Sequence, residues 1–130
     1  MLNYKHNQTF ESLQGVRVYV YFNLHKKCFS VKALGGSCKG LVVAHISTVS
    51  LKDVTFKVSE AGRQRVLREQ KKNVHAGVVG CLHHFEKVST KGYKQAYYNP
   101  YKTSTFVSGD DALLQAKAVT LANKTIMFKQ

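Results

Sequence analysis

Hydrophobic and polar positions alternate most cleanly over residues 16–24. Val16, Val18, Val20, Phe22 and Leu24 fall on one side; Arg17, Tyr19, Tyr21 and Asn23 fall on the other. A period of two predicts a strand with one face in the core and an aromatic, basic opposite face. His25-Lys26-Lys27 turns the chain into a second strand at residues 28–34, hairpin-paired with the first. Gly35-Gly36-Ser37 is a turn signal. Residues 40–46 form a third strand, and Val54, Phe56 and Val58 mark a short fourth at 54–58.

The period then changes. Ser59 is suited to cap a helix, and residues 60–72 (EAGRQRVLREQKK) follow it. Glu60 lies in the first turn and Lys71 and Lys72 in the last, which complements the helix dipole. Asn73 closes the helix. At about 100° per residue, Arg65, Arg68 and Lys72 share a stripe, opposite Val66, Leu67 and Val74.

Residues 74–85 return to a β-like pattern, broken by Gly77 and Gly80, and 93–98 form a further strand. Asn99-Pro100 turns the chain towards a strand at 103–107. Ser108-Gly109-Asp110-Asp111 reads as the cap of a short second helix reaching Ala116. Residues 118–121 and 125–128 close the chain as a hairpin around Asn123. Residues 1–15 read as an N-terminal arm and 16–130 as one domain. The expected fold is α+β: a mostly antiparallel sheet, one central helix and a short second helix. Strands do not alternate with several helices, which excludes a Rossmann-type parallel sheet.

Charge adds a partner class. The 130 residues hold 20 Lys and Arg against 7 Asp and Glu, a formal net charge of +13. Small soluble domains need a magnitude of only about 2 to 8. The excess points to an anionic partner: nucleic acid, an anionic nucleotide or an acidic host protein. An apolar content of 44% excludes a disordered basic tail. No apolar run approaches the ~18 residues of a membrane span, and MLNYKHNQTF does not read as a signal peptide. Neither a membrane partner nor a secreted state is expected, so the setting is cytoplasmic.

Two segments concentrate the cations. Arg63, Arg65, Arg68, Lys71 and Lys72 lie within ten residues. Arginine suits bidentate phosphate contact; the bland alternative is a solvated helix face. The second segment runs from Lys87 to Lys102. Here Tyr93, Tyr97, Tyr98 and Tyr101 interleave with Lys91, Lys94 and Lys102, offering stacking platforms beside charge. Tyr19 and Tyr21 can extend that surface, and exposed tyrosine faces leave room for a homodimer.

Catalytic chemistry finds less support. Cys28, Cys38 and Cys81 with six histidines supply zinc-type ligands, but their spacings fit no familiar framework, so no metal or other cofactor is expected. Seven scattered acids disfavour two-metal nucleases, and there is no P-loop, G-x-G-x-x-G or G-x-S-x-G. An odd number of cysteines favours free thiols. A metal-independent phosphodiesterase using His45, His75, His83 or His84 is the remaining enzymatic alternative.

Three segments, VSEAGRQRVLRE with KNVHA behind it, FNLHKKCFSV and YNPYKTSTFV, resemble a family of small accessory proteins of tailed bacteriophages. The likeness spans most of residues 16–107. It implies action in the host cytoplasm during infection. It also implies a binding role of the kind played by anti-CRISPR proteins or by sponges for nucleotide signals. The function expected is thus a non-enzymatic basic protein that binds a nucleotide or RNA. The alternatives are an inhibitor docking on an acidic host protein and the histidine phosphodiesterase.

Overall fold

The computed structural model describes residues 2–86, 88–123 and 125–130. Nine strands form one antiparallel sheet. They are β1 (Leu2–Tyr4), β2 (Arg17–Asn23), β3 (Cys28–Ala33), β4 (Val42–Ile46), β5 (Thr48–Val58), β6 (Ala76–His84), β7 (Lys94–Ala96), β10 (Gln115–Ala122) and β11 (Thr125–Lys129). Their order is β1-β4-β3-β2-β6-β5-β10-β11-β7. Between β7 and β10, β8 (Val107–Ser108) and β9 (Asp111–Ala112) make a separate small hairpin. The helices are α1 (Phe10–Leu13) and α2 (Glu60–Glu69).

The α+β expectation is overturned. Strands take 49% of the residues and helices 11%, so the chain is mostly β. The late helix is absent: Ser108, Gly109, Asp110 and Asp111 instead form the turn between β8 and β9, with Ser108 opposite Asp111. Gly109 has φ +61, a left-handed conformation suited to a tight hairpin. Leu113 and Ala116 are buried, and β10 pairs along most of its length with β5. Long-range pairing outweighs the local capping signal there. The central helix is also shorter than expected. Gln70, at φ +57, ends α2, and its N–H donates to the Val66 carbonyl at 2.8 Å.

The strand expected at 103–107 is reduced to Val107, the first residue of β8, but both expected hairpins stand. β2 and β3 form the predicted hairpin, from Val18 opposite Ala33 to Asn23 opposite Cys28. Asn23 shapes its turn, its Oδ1 accepting from the N–H groups of His25 and Lys26. β10 and β11 form the final hairpin, with Asn123 at φ +49. The fourth strand is longer than its visible VTFKV core. Asp53, at φ +53, marks a bulge that lets Val49, Leu51, Val54 and Phe56 all be buried. Ser50 hides the strand character of the first half: it is buried, with its hydroxyl 3.1 Å from that of Thr120 and bonded to the Glu86 carbonyl at 3.2 Å. Leu2–Tyr4, inside the expected arm, pairs with β4.

One hydrophobic cluster runs along the sheet, including Val18, Val20, Val31, Val43, Leu51, Val78 and Leu121. Leu13 of α1 belongs to this cluster, whereas no residue of α2 does. α2 stands at one end of β5 and β6. Among the described residues, no helix is long and apolar enough to cross a membrane.

Candidate functional site

α2 is an excursion inserted between two neighbouring strands. Val58, the last residue of β5, sits opposite Ala76, the first of β6. The ends of the excursion are stitched together: the Ser59 N–H donates to the His75 carbonyl at 2.7 Å, and Asn73 Nδ2 donates to the Gly62 carbonyl at 3.2 Å. Gly62 makes this approach possible. A Cβ there would lie 2.4 Å from the His75 Cβ, closer than carbon atoms approach. The Ser59 hydroxyl caps the helix by accepting from the Gly62 N–H at 3.2 Å.

The loop at 98–103 packs against this unit through two polar links. Arg63 Nε donates to the carbonyls of Pro100 at 3.0 Å and Thr103 at 2.9 Å, while its Nη1 reaches Glu60 at 2.9 Å. The Tyr98 hydroxyl lies 2.6 Å from His75 Nε2. His75 Nδ1 faces two acceptors of Asn73, its carbonyl at 3.2 Å and its Oδ1 at 2.9 Å. That environment places the neutral imidazole proton on Nδ1 and leaves Nε2 to accept from Tyr98. Burial pushes the Tyr98 phenol above its ordinary range, so it stays a donor. Its ring also rests on Phe106, with centroids 5.2 Å apart.

Between these parts lies a groove of about 520 Å³. Its apolar lining includes Phe22, Leu24, Val66, Val74 and Ala76. Tyr98, Pro100 and Tyr101 line it too, and Lys72, Asn73, His75 and Asn99 bring polar groups. A neighbouring hollow of about 280 Å³ shares Phe22, Leu24, Lys72 and Ala76. Leu24, Val74 and Tyr101 are exposed, as are Leu2, Tyr4, Leu41, Tyr97 and Leu114 elsewhere.

Comparison with known proteins places the chain. A family model described as the Mycobacterium phage L5 gene 82 protein matches residues 11–129. The chain belongs to this family. The gene 82 protein of Mycobacterium phage L5 is 44% identical over 98 residues, covering 71% of this chain and 77% of the relative. No solved structure matches. The resemblance to a phage protein family read from residues 16–107 is thereby borne out.

In this member of the gene 82 family, the two cationic segments meet, but only some of their residues face the groove. Lys72, Tyr98 and Tyr101 line it. Because α2 ends at Gln70, Lys72 leaves the expected stripe and joins the groove wall instead. Arg63 is not among the groove-lining residues, and its Nε and Nη1 are engaged as above. Arg65 is paired with Glu69 at 2.6 Å on the outer surface. Arg68 and Lys71 are exposed. Lys91 is exposed beside a turn in which the Tyr93 N–H donates to the Thr90 carbonyl at 2.9 Å. Lys94 lies on β7 opposite Phe128. Tyr97 bridges to Val107, and its hydroxyl donates to Gln95 at 3.1 Å. Lys102 is exposed next to the groove loop. Lys87, named at the start of the tract, lies outside the described residues.

The histidines occupy different settings. His45 is buried on β4, its Nδ1 3.0 Å from the Ser30 hydroxyl, which also accepts from Asn23 Nδ2 at 3.1 Å. Burial, then Lys26 and Lys5, lower its pKa. The His83 and His84 rings lie 4.2 Å apart, and His84 stacks on Phe10. Burial, then Lys52 and His84, lower the pKa of His83. Cys28, Cys38 and Cys81 are free thiols. Among the described residues no three His, Cys, Asp or Glu side chains are placed to hold a metal ion.

Sequence reasoning missed Phe22 and Leu24 as groove residues because alternation assigned them to the core face of β2. It named Asn73 only as the helix end and His75 only in the phosphodiesterase alternative, and placed neither beside the tyrosine loop. The signal available was their position between a helix end and a new strand, followed later by the Pro-containing tyrosine turn.

Proposed function

We propose that this phage protein is a non-enzymatic binding protein whose groove takes a phosphate-bearing nucleotide. The observation that carries the reading is the meeting of the helix excursion with the 98–101 loop. It sets Tyr98 and Tyr101 beside Lys72 around a hollow of about 520 Å³. Volumes of about 300–1,000 Å³, largely apolar with a few placed polar groups, are what small-ligand sites have. A base can stack on an exposed tyrosine. Lys72 supplies a point charge for a phosphate, with Lys71 next to it in the chain. The net charge of +13 favours anionic ligands over neutral ones. In a phage protein, retention of a nucleotide in the host cytoplasm fits a counter-defence role, such as a sponge for a nucleotide signal.

Hydrolysis fits the groove less well than retention. Both ring nitrogens of His75 are engaged, one with Asn73 and one with the Tyr98 hydroxyl. The test is calorimetric titration of the protein with a panel of mono- and cyclic dinucleotides, followed by recovery of the ligand after denaturation. The reading expects saturable binding that falls with added salt, is lost in Lys72→Ala with Tyr101→Ala, and returns the ligand intact. Absence of binding at low salt would refute it, and recovery of a cleaved ligand would turn it into an enzyme. If the partner is an acidic host protein instead, no nucleotide will bind. A complex from host lysate will then survive nuclease.

A further inference from the structure

The outer face of the sheet centre carries a second basic and aromatic surface, apart from the groove. Arg17, Tyr19 and Tyr21 alternate on β2 with the buried Val18 and Val20. Register extends their face to both sides. Tyr19 lies opposite Lys32 on β3 and Val79 on β6. Arg17 lies opposite Cys81, which in turn lies opposite Lys52 on β5. Lys57 lies opposite Gly77. Cross-strand neighbours share a face, so Arg17, Lys32, Lys52 and Lys57 surround the two tyrosines. Asp53, at the bulge beside Lys52, is the one acid in the sequences of β2, β3, β5 and β6.

The tyrosines are arranged together. Their ring centroids are 5.6 Å apart and their planes 32° apart. Gly77 lets the Tyr19 ring lie across β6: a Cβ at Gly77 would come within 2.9 Å of Tyr19 Cε1 and Cζ. Both rings are only half-buried, although they sit at the middle of a nine-stranded sheet. Arg17, Lys52 and Lys57 are exposed.

We propose that this face binds single-stranded nucleic acid, with bases stacking on Tyr19 and Tyr21 and the backbone running past Arg17, Lys32, Lys52 and Lys57. Aromatic rings within a positively charged surface are the combination that holds single strands with little sequence preference. A duplex hides its bases and can use only the charge. An acidic protein would likewise use the charge without needing paired rings. None of these residues lines the groove itself, although Tyr21 shares the neighbouring hollow with Lys72.

The experiment is fluorescence anisotropy of a labelled short oligothymidylate and of a duplex of equal length, each at several salt concentrations. Wild type should bind the single strand more tightly than the duplex. Tyr19→Ala with Tyr21→Ala should weaken the single strand roughly tenfold or more and leave the duplex nearly unchanged. Tyr19→Phe with Tyr21→Phe should retain single-strand binding, because stacking needs the ring and not the hydroxyl. Lys52→Gln with Lys57→Gln, both at exposed positions, should flatten the single-strand salt slope by roughly 1.4, about 0.7 per phosphate. Tyr101→Ala, in the groove and outside the hollow that Tyr21 lines, should change nothing here, which separates this face from the groove. Should the alanine pair fail to fold, the phenylalanine and glutamine pairs carry the test. Equal affinity for single strand and duplex, or an unchanged slope in the glutamine pair, would overturn the proposal.

Discussion

Replacing Arg63 by methionine separates an arginine that builds a wall from one that holds a ligand. The Arg63 side chain is only 17% exposed, and its Nε–H is shared between the carbonyls of Pro100 and Thr103. A hydrogen bond from a charged donor contributes about 1.5–3 kcal/mol, and a shared donor counts once. The pair with Glu60, which is 55% exposed on its side chain, is screened by solvent and adds little. Methionine keeps most of the packed stem and has nearly the same helix propensity, so little else changes. The expected loss is therefore about 2–3 kcal/mol. For a chain of this length that lowers Tm by roughly 8–12 °C, at about 4 °C per kcal/mol. Arg65→Met is the control: its pair with Glu69 is on the surface, and the loss should stay under about 0.5 kcal/mol. Circular-dichroism melts and urea titrations of the two variants give the comparison. An Arg63→Met protein that melts with wild type would refute the clamp. If it also lost nucleotide binding, Arg63 would be a phosphate ligand and the groove would be wrongly drawn.

Gly62→Ala should destabilise, by about 1–3 kcal/mol through overpacking on His75, although alanine in a helix normally gains about 1 kcal/mol over glycine; a raised Tm would contradict the close approach. Gly109→Ala should cost about 1 kcal/mol, because φ +61 strains an alanine, whereas Gly109→Asn should cost less; equal melts for both would remove the turn argument. His45 links stability to pH. Burial and the nearby Lys26 and Lys5 lower its pKa from 6.5 in the folded chain. As pH falls the unfolded chain takes up the proton first, so stability present above about pH 6.5 is lost below it. Melts of wild type and His45→Gln across that window should converge at high pH and differ in slope below it. Parallel slopes would show that His45 does not contribute.

The parts of the fold that could be read from sequence are those where local pattern and long-range pairing agree. Residues 17–23 alternate cleanly, and β2 forms there. His25-Lys26-Lys27 and Asn123 mark turns, and both turns exist. Pattern fails where a bulge or a buried polar residue interrupts it. Ser50 is polar yet buried against Thr120, and Asp53 adds a residue to β5, so the first half of that strand did not show. Ser108-Gly109-Asp110-Asp111 suits a helix cap and a hairpin turn equally well as a string. The pairing of β10 with β5 decides between them, and no local signal reports it. The site divides in the same way. The two cationic segments were visible as composition, while the residues that face the groove depend on where α2 stops. Ending at Gln70 moves Lys72 into the groove. The close approach of α2 to the tyrosine loop turns Arg63 into a structural residue.

The most direct measurement is the map of amide chemical-shift changes when isotope-labelled protein is titrated with the nucleotide it binds most tightly. The account predicts the largest changes at Leu24, Lys72, Val74, Tyr98 and Tyr101, around one hollow. Changes spread over the basic surface with no focus there, or confined to α2 at Arg65 and Arg68, would contradict it.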